Sequence, residues 1–224
     1  MKKLIYLFLV TAFVFSACGK KTDSKKEDGM ADKKKDEAVS NQQKKEDSLK
    51  AINDQADREK KVKEALEEDK ILKDSLGQWA ITAEASSTYG DHKEKDTWTP
   101  AQMTGAPNVE KYGDDGRAWT SLEAEKGIEW VELSYEKAVN ATEIRIRQSF
   151  NPGAIIKIEL IDEKGKSHTV WEGLDKTKYE PDKIQYFIAK FDKTDYKTRE
   201  IKITLANNLI HGWKEIDAVQ LIGK

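Results

Sequence analysis

No aromatic residue occurs between Phe15 and Trp79, and every tryptophan, proline and histidine lies at or beyond Trp79. A chain without apolar surface to bury cannot offset the entropy lost on ordering. A core is therefore confined to the part of the 224-residue sequence that begins near Trp79. That leaves room for one globular domain and excludes a two-domain enzyme. A mean hydropathy of -0.77 and a single long apolar run, at the extreme N-terminus, exclude a membrane-spanning bundle.

Lys2 and Lys3 precede a run from Leu4 to Phe15 that is apolar except for Thr11, and Ser16, Ala17 and Cys18 follow. A charged start, an apolar run too short to span a bilayer and a small-residue end read as a secretory signal. Phe15-Ser16-Ala17-Cys18 resembles the lipobox of bacterial lipoproteins, with Phe15 where leucine is usual. The resemblance implies that residues 1–17 are removed as a signal peptide and that Cys18 is acylated, with palmitate among its chains. Cys18 is the only cysteine, so it has no internal disulfide partner. Each buried methylene contributes about 0.8 kcal/mol, so two or more acyl chains anchor a protein stably where one does not. Gly19 after the cysteine implies, by the same resemblance, transport to the outer membrane of the cell envelope, periplasmic or surface-facing.

Residues 18–76 read as a charged tether. From Gly19 to Ser75 there are 16 basic and 16 acidic side chains, which cancel any long-range field, so Lys33-Lys34-Lys35 reads as part of a solvated spacer. As a random coil such a segment spans on the order of 40 Å. From Leu49 to Leu76, apolar residues recur near helical spacing, and the tether is expected to be disordered to partly helical. Glu59 and Asp69 interrupt the seam and argue against a coiled coil. Asp47-Ser48-Leu49 and Asp74-Ser75-Leu76 resemble a short acceptor motif of periplasmic O-glycosylation, which leaves Ser48 and Ser75 open as glycosylation sites.

From residue 77 the hydrophobic period becomes two. Trp79 to Ala83, Val131 to Tyr135, Ile144 to Arg147, Ile156 to Leu160, Phe187 to Phe191 and Ile201 to Leu205 alternate. Asp162-Glu163-Lys164-Gly165 reads as a hairpin turn, and a parity change between Ala218 and Val219 as a β-bulge. Residues 77–224 are thus expected to form an all-β, antiparallel β-sandwich or jelly roll of about eight strands. Trp79, Trp119, Trp130 and Trp171 fall at strand positions and are expected in the core. The irregular stretch from Ser86 to Trp119 is long enough to be functional rather than connective.

Gly105-Ala106-Pro107-Asn108, Tyr112-Gly113-Asp114, Ala118-Trp119, Phe150-Asn151-Pro152-Gly153-Ala154, Trp171-Glu172-Gly173 and the run from Gly212 to Val219 carry a resemblance. They look like the galactose-binding-like jelly rolls related to discoidin and coagulation-factor type C domains, and a similar module occurs in pappalysin metalloproteases. The resemblance covers residues 79–223 and implies a non-catalytic recognition module without naming its ligand. It also implies a structural Ca²⁺, held by Asp114 and Glu215 with carbonyls near Asn108, since a hard cation takes six to eight oxygens. Against this stands a turn-capping Asp114 and a Glu215 paired with Arg117 or a lysine.

A sugar site would place an aromatic face against C–H groups with polar neighbours for the hydroxyls. Trp98, Phe150, Asn151, His211 and Trp213 are the candidates, and Tyr89, Asp91 and His92 sit in the same loops. Asn151-Pro152-Gly153 is first of all a turn. His92, His168 and His211 lack zinc spacing, no nucleophile elbow occurs, and Asp114 and Asp115, adjacent on a loop, point apart, so no catalytic residue is assigned. Residues 77–224 carry 21 basic and 25 acidic side chains, the wrong sign for nucleic acid; Arg145 and Arg147 are expected to be solvated. The sequence thus reads as a lipid-anchored, non-catalytic envelope protein that binds a carbohydrate or glycoconjugate through loops at one end of the sandwich. The alternatives are a structural envelope protein docked on a protein partner, and an accessory module of a hydrolase complex.

Overall fold

The computed structural model describes residues 28–90 and 97–224, with side chains from residue 42 onward. Cys18, Asp91 and His92 lie outside the described residues. The chain divides into two units, residues 1–62 and 63–224.

Helix α1 runs Asp28–Leu72 and so begins well before Leu49, within the segment expected to be disordered to partly helical. Lysine, glutamate, glutamine and alanine lose little rotamer freedom in a helix, and no proline or glycine interrupts the sequence after Gly29. In the first unit, side-chain bonds one turn apart add local support, with Gln55 donating to Glu59 at 2.8 Å. Leu49 and Ile52 remain exposed there. Ser48 donates its hydroxyl to the Lys44 carbonyl at 2.7 Å.

The second unit is a sandwich of nine strands, β1 Gly77–Trp79, β2 Thr82–Ala85, β3 Ile128–Val139, β4 Ala141–Phe150, β5 Ile155–Asp162, β6 Ser167–Glu172, β7 Gln185–Lys190, β8 Thr198–Ala206 and β9 Glu215–Gly223. One antiparallel sheet has the order β1-β9-β4-β7, the other β2-β3-β8-β5-β6. The alternation works as expected along β3, β4 and β8, whose Val131, Leu133, Tyr135, Ile144, Ile146, Ile201, Ile203 and Leu205 fill the core.

The extra strand comes from the run at Trp79, which changes sheet instead of continuing. Trp79 pairs with Gln220 and Ala83 with Leu133, so Ala80 is buried at the crossing and Ile81 turns outward. In β9 the bulge falls at Asp217, since Arg147 faces Ala218 and Gln148 faces Ile216. Ile216, Val219 and Leu221 then point inward. The Asp162 hairpin forms as read: Gly165 donates to the Asp162 carbonyl at 2.8 Å and takes φ +79°, where glycine is favoured.

Of the four strand tryptophans, Trp119 is fully buried and Trp171 packs edge-on to Phe187. Trp130 does not enter the core. Glu129 and Val131 take the inward positions of β3, and Trp130 lies on the outer face under the Lys202 ammonium, 4.1 Å from the ring centroid.

Arg145 and Arg147 are not solvated either. Both project from the outer face of β4, with side chains 13% and 12% exposed, beneath the end of α1. Arg145 pairs with Asp74 at 2.9 Å and Glu143, and Arg147 with Glu68 at 3.3 Å and Asp217. Tyr186 donates to Glu68, Lys183 pairs with Glu64 at 2.7 Å, and Gln220 donates to the Ile71 carbonyl. Residues 64–74 are therefore bound to the sandwich. The exposed turn that follows carries Ser75.

Candidate recognition site

Every long loop of the sandwich that contains a proposed ligand residue opens at the same end. Residues 86–127 join β2 to β3, 151–154 join β4 to β5, and 207–214 join β8 to β9. Long loops of this kind need internal anchors, because few ladder bonds hold them. Three side-chain anchors are built from β9 and its approach. Asp217 accepts from the backbone N–H of Asn108 and Val109, fixing the Gly105 to Asn108 turn. Buried Trp119 exchanges two backbone bonds with Ile216 and donates its indole N–H to the Ser87 carbonyl. Lys214 is buried, and its ammonium is held by the carbonyls of Ala124, Ile210 and Gly212 at 2.5–2.7 Å. Burial pushes the Lys214 pKa down.

On this frame the aromatics gather in two groups. Tyr89 meets Trp98 edge-on at 5.5 Å and Trp213 edge-on at 5.4 Å, so one ring from the first loop links two tryptophans far apart in sequence. Tyr89 is 48% and Trp213 39% exposed. Trp98 sits at φ +52°, a left-handed backbone costly for a bulky side chain, and persists there because its surroundings over-determine it. Its N–H donates to the Gly116 carbonyl, its own carbonyl accepts from Thr88, and its indole N–H donates to Asp114 at 3.0 Å.

Tyr112 and Phe150 form the second group, edge-on at 5.4 Å. Asn151 joins the two groups. At φ +41°, it accepts from the Tyr112 hydroxyl through Oδ1 and donates through Nδ2 to the Trp213 carbonyl at 2.8 Å. The structure thus places Trp98, Phe150, Asn151 and Trp213 at one loop end. His211 points away: its side chain is 98% exposed, with Nδ1 2.7 Å from Glu125. Tyr89 was one loop aromatic among several in the sequence, and only its contacts mark it as the link. Tyr112 and Lys214 stand within the motifs that carry the resemblance but are not among the ligand-binding candidates.

The Asp114 and Glu215 carboxyls do meet, in hydrogen-bond contact, and Asp114 is exposed while Glu215 is buried. Burial first and the neighbouring Asp114 second push the Glu215 carboxyl up to about 8. Glu215 pairs with neither Arg117 nor a lysine. Its oxygens accept from the backbone N–H of Asp115 at 3.2–3.3 Å and the Ser149 hydroxyl at 3.3 Å. No group of three or more His, Cys, Asp or Glu that could hold a metal ion occurs among the described residues. Two carboxyls fall short of the six to eight oxygens that calcium takes, the rest of which backbone carbonyls would have to supply. Asp115 binds Arg117 in a two-pronged pair, so Asp114 and Asp115 engage different partners. His168 lies at the other end of the sandwich, bonded to Asp162 and stacked on Tyr196.

Residues 68–224 match the family model described as "Pappalysin-1, SD scarf domain, C-terminal". No curated protein matches the chain. Among solved structures, it is similar to chitosan-binding module 1 of a chitosanase/glucanase from Paenibacillus sp. IK-5, at 11% identity and a TM-score of 0.46, covering 63% of this chain and 94% of the module. It is also similar to reduced XRCC1, in the structure bound to the DNA pol beta catalytic domain, at 13% identity, TM-score 0.47 and coverage of 66% and 97%. A Clostridium perfringens module, CpGH89CBM32-4 in complex with GlcNAc-α-1,4-galactose, gives 13% identity, TM-score 0.44 and coverage of 63% and 88%. Likeness at this level assigns no ligand to the chain.

Proposed function

The chain belongs to the pappalysin SD scarf family, and from that premise we propose that it is a non-catalytic recognition protein which binds a carbohydrate or glycoconjugate at the loop end of its sandwich. The observation that carries this reading is the Tyr89, Trp98 and Trp213 group: the exposed rings of Tyr89 and Trp213, from two loops, beside a half-buried Trp98 held at positive φ. Rings presented this way offer apolar faces to a sugar ring, and Asn151 and Asp114 supply polar neighbours. The sequence-based expectation of acylation at Cys18 completes the proposal, with the protein anchored in the cell envelope by lipid and facing a glycan-bearing surface.

A protein partner is the second reading, favoured by Leu122, Ile128 and Leu209, exposed at 49–59% on or beside loops of the same end. The test for both is a binding screen of the purified chain against envelope and extracellular glycans, alongside capture of partners from envelope extract. Trp213→Ala should abolish glycan retention while the fold persists. Undiminished retention by a folded Trp213→Ala variant removes the site. Acylation is tested separately, by palmitate labelling that a Cys18→Ala variant loses.

A further inference from the structure

We infer that the loop-end site prefers a ligand carrying a protonated amine, such as an amino sugar, over neutral or acidic sugars. This rests on the recognition reading above and narrows it to a ligand class. Tyr89 and Trp213 expose aromatic surface, and an ammonium over an aromatic face is attracted by the ring quadrupole, where a neutral hydroxyl gains only dispersion.

The second element is the exposed carboxyl of Asp114. It is fixed against the Trp98 indole N–H at 3.0 Å and so is held beside the same aromatic group. Its carboxyl neighbour Glu215 is buried, so Asp114 is the one of the two that an incoming ligand reaches. The third element is the state of the nearby cations. Arg117 is engaged two-pronged by Asp115, His211 by Glu125, and Lys214 is buried among three carbonyls. These three are engaged elsewhere, so among the described residues an incoming ammonium finds the exposed Asp114 carboxyl next to aromatic faces.

The test uses the full chain and three oligosaccharides of equal length: glucosamine, N-acetylglucosamine and galacturonate. Binding is read by calorimetry and by tryptophan fluorescence. The glucosamine oligomer should bind about tenfold tighter than its acetylated form, a preference that added salt weakens. Asp114→Asn keeps the oxygen acceptor for Trp98 while removing the charge, so it should bring the two affinities together, the amine form losing more than the acetylated oligomer. Equal binding of the amine and acetyl forms by the parent chain, or tighter binding of galacturonate, overturns the amine preference and leaves carbohydrate recognition standing. Binding of none of the three overturns the preference and counts against the recognition reading too.

Discussion

The Asn151 side chain donates to the backbone carbonyl of Trp213 at 2.8 Å, tying the β4–β5 turn to the loop that presents an exposed indole. The donor stands at φ +41°, where asparagine is tolerated and alanine strained. Asn151→Gly should lose only this bond and the one accepted from the Tyr112 hydroxyl, about 1–2 kcal/mol together, whereas Asn151→Ala should lose both and add strain of about 1 kcal/mol more. Denaturant melts of the two variants check the order; equal costs would mean the backbone at Asn151 is relaxed.

Lys214 acts as a tethered cation for three carbonyls of two different loops. Lys214→Met keeps the stem and removes the donors, leaving those carbonyls unpaired, and should destabilise the domain by about 2–4 kcal/mol. Thermal melts measure the loss. Glycan affinity should fall with it, because Trp213 lies on the segment that Lys214 holds.

Glu215 sets a pH dependence whose direction follows from its raised pKa. The folded state keeps a proton to about 8 that the unfolded chain releases near 4.5, so it binds more protons between those values. Its contribution to stability is therefore present below about 4.5 and declines as pH rises towards about 8. Glu215→Gln, neutral at every pH, should flatten this fall in a series of melts. Since only two carboxyls meet there, calcium and chelator should give the same melting temperature throughout; a rise with calcium would restore the metal reading.

The end of α1 is part of the sandwich unit. Glu68→Ala removes partners of Arg147 and Tyr186 together and should cost about 1–2 kcal/mol. A chain beginning at residue 77 should melt below one beginning at residue 63, with the gap shrinking at high salt. Identical melts would show that residues 63–76 contribute nothing.

Tyr135 is fully buried with its hydroxyl unpaired among the described residues, and burial holds its pKa well above the ordinary tyrosine value. Tyr135→Phe removes an unsatisfied polar atom without opening a cavity. It should stabilise the domain by about 1 kcal/mol, read by chemical denaturation.

The sequence made the sandwich legible because a strand with one buried face writes a period of two, as Val131, Leu133 and Tyr135 do. Where strands change sheet or are covered on both faces, that signal fails. Ala80 and Ile81 lie at a sheet crossing, and Arg145 and Arg147 look solvated until the end of α1 is laid over them. Before Leu49 the helix carries no recurring apolar spacing and is written only in propensity. Trp98, Phe150, Asn151 and Trp213 could be named from their turn and aromatic chemistry, but the Tyr89 link and the Lys214 clamp depend on loops meeting at long range, which local pattern does not encode.

The central claim is that the Tyr89, Trp98 and Trp213 group receives the ligand. The most direct measurement follows the six tryptophan indole N–H signals by NMR while glycans are titrated into the purified chain. The account predicts that the Trp98 and Trp213 signals move together and saturably, while that of buried Trp119 stays in place. Saturable movement confined to other tryptophans, or a uniform shift that includes Trp119, would contradict it.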